Sequence, residues 1–444
     1  MGIITFSILL LISTLIAIHI NISIYIYFLM LLITIIFFSI YKKKIILIVL
    51  ILILFNIFSL MRIYKINIKS NEYYHISGKI IGDKIKVNKI NNKYISNKIY
   101  LSINRELDGE SVDLDFICKK IDKFHNILYL QGKMLNVKLH NNYLKEFIKN
   151  RIYKFSYVYG ENLYGFLLAV FLGDSSELNQ DMIKKYRYTG VSHLLVISGL
   201  HMSILLFLSL KLFDKLKFNY YSQYLLTLVV LTVYIFITGA LTSVLRAYIM
   251  IVIYILSMLM YEKVDPLKSL SIAVIINIII NPTSIISVSF ILSYLAVLSL
   301  LIIYPRIKIG IFKFDFVNQM IFITLSIQLM LAPVFLYNFN LIPFLSFFSN
   351  IIVVALGSFL IGVSFILIFI GIFSTNLAII LGFLVDFLLK ILNFYVNILS
   401  KISFMQIEYK SKIPLLFIML FYTTIFIIIY KEKIHEKLKI YFNN

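Results

Sequence analysis

The chain has 444 residues, of which 61% are hydrophobic and only 14% charged, with a mean hydropathy of +0.93 and a formal charge of +21. Soluble domains carry about a quarter charged residues, so this composition excludes an ordinary soluble fold and predicts a membrane protein. Its single cysteine, Cys118, excludes an internal disulfide and a multi-cysteine metal site.

Three apolar segments come first, 3–20, 22–40 and 45–61, each about long enough to cross a hydrocarbon core as a helix. The opening has neither a basic start nor a small-residue cleavage site, so it reads as a retained span. Lys42, Lys43 and Lys44 between the second and third segments should face the cytoplasm, which puts the N-terminus inside and delivers residues 62–150 outside. That hydrophilic stretch contains alternating runs such as KIKVNKI and YISNKIYLSI, broken by Asn91-Asn92 and Asp108-Gly109, and predicts a small extracellular β-domain, with an OB-like barrel as one form. It holds 17 Lys and Arg against nine Asp and Glu, a net +8. Lys84, Lys86, Lys89 and Lys93 could guide DNA, with Tyr73, Tyr74, Tyr94 and Tyr100 as stacking faces; the same residues could equally be solvated or packed strand positions.

An amphipathic segment, 151–190, follows, and its apolar core Phe166–Leu172 is too short to span, which predicts a place at the membrane interface. Long apolar runs recur at 191–213, 222–240, 244–261, 267–281, 285–304, 317–337, 350–372, 377–399 and 413–430, giving a transmembrane core over 191–430 and a cytoplasmic tail over 431–444. The fold class expected is a polytopic all-α bundle of about twelve spans carrying the β-domain. Lys211, Lys215, Lys217, Arg306, Lys308 and Lys313 fall on the predicted inner side together with the tail, so both termini are expected in the cytoplasm. Pro282, Pro305, Pro333, Pro343 and Pro414 lie in or beside apolar runs and favour kinks or boundaries.

Polar chemistry concentrates in GVSHLLVISGLHMSIL, residues 190–205, where His193 and His201 flank Ser198-Gly199. Ionisable groups in spans usually face a bundle interior or a water-filled path, so this cluster predicts a polar seam; a packing ridge of Gly199 and Ser203 is the alternative. Two histidines are too few for a metal centre, and Ser198 lies in ISGLH rather than in a G-x-S-x-G elbow, so neither a metal, a cofactor nor a catalytic residue is assigned. Arg246 follows the small residues Gly239 and Ser243 within a span, where a guanidinium needs a partner, a phosphate or water.

Gly173-Asp174, Gly190, His193, Ser198-Gly199 and His201, in this order, resemble the signature of the ComEC competence family, which internalises DNA. Further along, GALTSVLRA at 239–247, Asn281-Pro282 with SFILS at 289–293, Ala332-Pro333 and Asn350 resemble its later motifs. Ser289 stands where a glycine is usual, Thr242 or Ser243 where a proline is common, and Ala355 in place of a frequent proline. The chain also ends soon after its last apolar run and has no H-x-H-x-D-H run, so the metallo-β-lactamase-like domain of longer members is not expected, nor is nuclease activity.

The resemblance implies a bilayer channel component that translocates single-stranded DNA across the bacterial cytoplasmic membrane, with Gly173, Asp174, Gly190, His193, Ser198, Gly199, His201 and Arg246 along its path. It also implies a cytoplasmic helicase-like ATPase, an external DNA receptor and a separate nuclease as partners, and leaves a homodimer open. An inside-negative potential opposes inward phosphate movement by about 2.3 kcal/mol per charge per 100 mV, so something must pull, and the chain has no phosphate-loop motif of its own. A secondary transporter for a small anion or lipid-linked substrate, an intramembrane hydrolase using Ser198, and an inactive scaffold are the competing readings.

Overall fold

The computed structural model describes residues 68–425 except 82–83, 96–97, 103–110, 125–126, 141, 240–241, 264, 308–314, 343–348, 403–406, 409–416 and 419, with a few residues before 68. The three N-terminal segments, the Lys42–Lys44 cluster, the Asp108-Gly109 turn, Pro343, Pro414, Lys308, Lys313 and the tail therefore lie outside the described residues. Two compact units are present: 1–146 with 267–290, and 147–266 with 291–444.

The first unit is built on strands β1 (Ile63–Tyr64), β2 (Tyr73–Ile81), β3 (Lys84–Ile90), β4 (Lys93–Ile95), β5 (Lys98–Ser102), β6 (Ser111–Phe124) and β7 (Ile127–His140). Alternation in KIKVNKI sends Ile85 and Val87 into the core while Lys86 faces solvent, as the period of two in a strand requires. Asn91 and Asn92 both take positive φ, the two-residue turn that matches strand twist, and join β3 to β4. Antiparallel pairings link β3 to β2, β2 to β6, β6 to β7 and β3 to β5, while β5 runs parallel to β7. Those five strands close on themselves as a small β-barrel around Ile76, Ile85, Ile99, Leu101, Leu114, Phe116, Cys118 and Leu130. Closure leaves these five strands without a long open edge.

A polar cluster fixes the outer side of the β2–β6–β7 face. Asp115 lies 3.0 Å from His75 Nδ1, directly across the strand pair, and its other oxygen accepts from Asn136 Nδ2 at 3.0 Å. Hydrogen bonds from His75, Tyr73 and Asn136 hold its carboxyl down at about 2, against a smaller opposing effect of burial. A depressed carboxylate stabilises the fold above its ordinary pKa, and that contribution is lost as pH falls towards the depressed value. Pepsin should therefore cut the wild-type barrel faster at pH 2 than at pH 4 by a larger ratio than it does Asp115→Asn. Equal ratios in the two proteins would remove the cluster from the acid response.

The second unit is helical. Helices α1 (Tyr143–Ser156), α2 (Glu161–Leu172), α3 (Gln180–Tyr188), α4 (Gly199–Lys215), α5 (Tyr220–Thr238) and α6 (Thr242–Leu259) precede α7 (Pro266–Ile280). Then come α8 (Val288–Ile307), α9 (Asp315–Phe339), α10 (Ala355–Phe373) and α11 (Thr375–Leu399). Nearly all of α7 belongs to the first unit, where Asn281 Oδ1 accepts from Thr283 N–H and starts the turn Pro282–Ile286. Five helices among the described residues are long and apolar enough to cross a membrane: α5, α8, most of α9, α10 with its preceding residues from Ile352, and α11. They leave Phe236, Phe359, Phe369, Phe373, Ile380 and Phe383 exposed, as lipid-facing side chains would be. Residues 161–172, 243–259 and 266–280 form shorter apolar helices.

Several boundaries differ from the sequence expectation. The run 191–213 does not start as a helix: Ser192–Leu195 is a short 3-10 turn, Val196 is extended, and α4 begins only at Gly199 because Ser198 caps it. Helix α9 continues through Pro333, and α8 through Pro305. The segment 151–190 is helical, and Phe166, Leu167, Leu168, Ala169, Val170 and Leu172 are buried within the second unit's own core. Glycines on α10 and α11 admit its rings: a Cβ at Gly382 would come within 2.7 Å of Tyr159, and one at Gly371 would collide with Phe155.

Candidate functional site

The start of α4 is a reciprocal cap. His201, in the first turn, points its Nδ1 back to the Ser198 backbone N–H at 3.3 Å and lies 3.2 Å from Ser198 Oγ. This is a capping box with histidine where Glu or Gln is usual. Accepting the Ser198 N–H requires an unprotonated Nδ1, so the neutral ring carries its proton on Nε2. That atom is buried without a protein partner, and His201 is wholly inaccessible. The 3.2 Å approach belongs to the organisation of this helix start.

Arg246 comes to the same place from α6. Ser243 Oγ donates to the Ile197 carbonyl at 3.1 Å, tying α6 to the residue just before the cap. A Cβ added to Gly199 would lie 3.6 Å from Arg246 Nη2 and 3.7 Å from Ala247 Cβ, ordinary contact distances that place the guanidinium beside the first turn of α4. Arg246 is 6% exposed, sits 5.6 Å from the Tyr294 ring centre, and has Nε and Nη1 buried without a partner. A buried cation with two unpartnered nitrogens and a ring as its charge-accepting neighbour is costly to hold in place.

The remaining motif residues shape the backbone around this point. Gly173 (φ +69°) and Gly190 (φ +78°) occupy the left-handed region that glycine enters at no steric cost. Asp174 Oδ1 accepts from Ser176 N–H and Oγ at 3.1 and 2.7 Å, and its other oxygen lies 3.7 Å from Lys149 Nζ. His193 is on the separate 192–195 turn, exposed, and hydrogen-bonded to the Gly190 backbone. The structure thus brings Ser198, Gly199, His201 and Arg246 together and gives Gly173, Asp174, Gly190 and His193 supporting places.

Sequence reasoning missed Phe171, Tyr234, Phe365 and Tyr294. The first three form a ring triangle with centres 5.4, 5.4 and 5.9 Å apart, and His201 joins it 6.3 Å from Phe365. Tyr234 is 2% exposed and its hydroxyl is another buried group without a partner. Among the described residues no three His, Cys, Asp or Glu side chains are grouped to hold a metal ion.

In the first unit, Lys86 and Lys93 are exposed, and Lys84 and Lys89 extend over the rings of Tyr129 and Tyr94 at 5.5 and 4.7 Å. Tyr73 is exposed, Tyr100 stacks on Tyr129 at 5.9 Å, and Tyr74 is buried, a packing residue rather than a stacking face.

Comparison with known proteins finds one family whose matched segment contains this site. Residues 170–434 match the family model described as Competence protein. ComE operon protein 3 of Bacillus subtilis (strain 168) is 28% identical over 198 residues, covering 44% of this chain and 25% of that protein. Recombination protein 2 of Haemophilus influenzae (strain Rd KW20) is 24% identical over 217 residues, 45% of this chain and 28% of that protein. The chain thus matches about a quarter of the length of each of these relatives. No solved structure matches it. The match covers more than half of the chain and holds the capped helix, its histidines and Arg246, so the protein belongs to the competence-protein family.

Proposed function

We propose that the chain takes part in DNA uptake as a component of the passage that carries single-stranded DNA through the bacterial cytoplasmic membrane. The observation that carries this reading is Arg246: a buried guanidinium with two unpartnered nitrogens beside a glycine, in the family's matched segment. A phosphodiester supplies the acceptors such a group needs. Few deep cations among the described spans also suit conduction, because a polyanion held at many strong sites would bind without moving.

In this reading about twelve spans, with both termini cytoplasmic, surround the path, and the barrel lies outside. The closed β3–β2–β6–β7–β5 order with its one parallel pair supports an OB-type barrel, a fold whose face and loops accommodate oligonucleotides. A cytoplasmic helicase-like ATPase, an external DNA receptor and a nuclease acting with it complete the machinery, and the chain itself serves as a conduit rather than an enzyme.

Deleting the gene should abolish DNase-protected uptake of labelled DNA while surface binding persists; unaffected uptake would overturn the reading. The barrel makes its own prediction. Replacing Lys84, Lys86, Lys89 and Lys93 together with Gln should weaken single-strand binding and flatten the dependence of log affinity on log salt by roughly 0.7 for each phosphate that the lysines no longer neutralise. An unchanged slope would leave those lysines as solvated strand positions.

A further inference from the structure

Helix α11 carries Asp386, Lys390, Asn393 and Asn397 at spacings of four, three and four, a polar stripe on an otherwise apolar span. Opposite it packs α3, whose sequence QDMIKKYRY is mostly polar. Between the two elements, and bordered by Asn162 at the start of α2, is an open cleft of about 390 Å³, within the range of small-ligand sites.

Its polar groups are oriented from behind. Tyr186, 1% exposed, donates its hydroxyl to Asn393 Oδ1 at 2.8 Å, which fixes the amide and leaves its NH2 to donate into the cleft. Asp386, 7% exposed, holds Lys390 Nζ at 2.7 Å. An ammonium has three N–H donors, so two remain. Lys185 lines the facing wall, Asn397 continues the donor row, and Asp181 is the one carboxylate at the cleft itself.

Depth identifies the occupant. At about 1.5 Å per residue, the 25 residues of α11 span roughly 37 Å, more than the ~30 Å hydrocarbon core. The eight residues from Lys390 to Asn397 lie within the last ten of the helix; with the roughly 7 Å excess at that end Asn397 reaches the headgroups, Asn393 lies just below them, and Lys390 reaches towards them by its long side chain. Phe394, 62% exposed, and Met182 give the cleft an apolar rim where acyl chains begin.

We propose that this cleft is a phospholipid site that takes a glycerol-phosphate headgroup: Lys185, Lys390 and the amides of Asn393 and Asn397 bind the phosphate, and Asp181 accepts from a headgroup hydroxyl. A choline headgroup has no such donor and is discriminated against. The inference does not depend on the DNA reading.

The test is native mass spectrometry of the full chain, delipidated in detergent and titrated with phosphatidylglycerol or phosphatidylcholine. The wild type should retain phosphatidylglycerol about tenfold more strongly, and the double variant Lys185→Gln/Asn397→Ala should lose about that factor, as expected for losing a charge-assisted bond. Asn393 stays, because Tyr186 depends on it, and an unchanged melting temperature verifies the fold. Equal retention of the two lipids, or wild-type retention by the variant, would overturn the site. Displacement by equimolar glycerol phosphate would assign it to a soluble phosphate, and displacement by a single-stranded oligonucleotide to nucleic acid; either result overturns the lipid assignment.

Discussion

Replacing Arg246 with alanine is expected to lower DNase-protected DNA uptake about tenfold to a hundredfold at matched membrane levels, with surface binding unchanged. Hydrogen bonds to a charged group contribute about 1.5–3 kcal/mol, and each ~1.4 kcal/mol is a factor of ten in rate. The guanidinium is buried, two of its nitrogens lack partners, and its other neighbours are the Tyr294 ring and the first turn of α4. Removing it also removes an uncompensated buried charge, so the DNA-free protein should be as stable as the wild type or more so. This sign separates the two accounts of the residue. A structural arginine would give an alanine variant with a lower melting temperature and normal uptake per molecule; a phosphate-handling arginine gives the reverse. Arg246→Lys should fall between wild type and alanine, since lysine keeps the charge but loses the planar fork of donors that matches a phosphate. Wild-type uptake in Arg246→Ala at matched levels would remove Arg246 from the path.

How far the sequence could be read depended on how local each signal was. The spans α5, α9, α10 and α11 were legible within a few residues because uninterrupted apolar runs report directly on helices in lipid. Asn91-Asn92 was legible as a turn because asparagine tolerates the positive φ that both positions adopt. The start of α4 was misplaced by eight residues because the cap uses histidine three places after Ser198, outside the usual Ser-x-x-Glu pattern, while 191–197 is as apolar as the helix. Phe166–Leu172 reads the same whether an apolar surface meets lipid or protein, so only tertiary packing could put it in the core. A barrel was one expected form, but the pairings that close it were illegible for a related reason: β3–β5 and β5–β7 join segments whose partners no local pattern specifies. In the site, Ser198, Gly199, His201 and Arg246 stood out as polar or small residues in apolar surroundings. Tyr234 did not, because a tyrosine in an apolar helix looks like a packing residue until its hydroxyl is found without a partner.

The second large effect concerns Gly132, in β7 opposite Cys118 and beside the irregularity between Cys118 and Lys120. A Cβ there would collide with the Ile117 carbonyl oxygen and come within 2.7 Å of the Phe116 ring, which is fully buried. A flexible side chain can move aside, but a carbonyl within a paired strand moves only with its strand, so Gly132→Ala must separate β6 from β7. Overpacking of this kind costs about 1–3 kcal/mol, occasionally more. The chain supplies its own probe: Cys118 is its single cysteine, completely buried in the barrel core. If labelling requires the barrel to open, its rate follows the opening equilibrium. Gly132→Ala should therefore speed maleimide labelling of Cys118 in detergent-solubilised full-length protein by about tenfold to a hundredfold, at roughly 1.4 kcal/mol per decade. Adding Phe116→Leu tests which neighbour matters. It relieves the ring but leaves the carbonyl, so fast labelling should persist; a return to the wild-type rate would assign the strain to the ring and remove the backbone from the account.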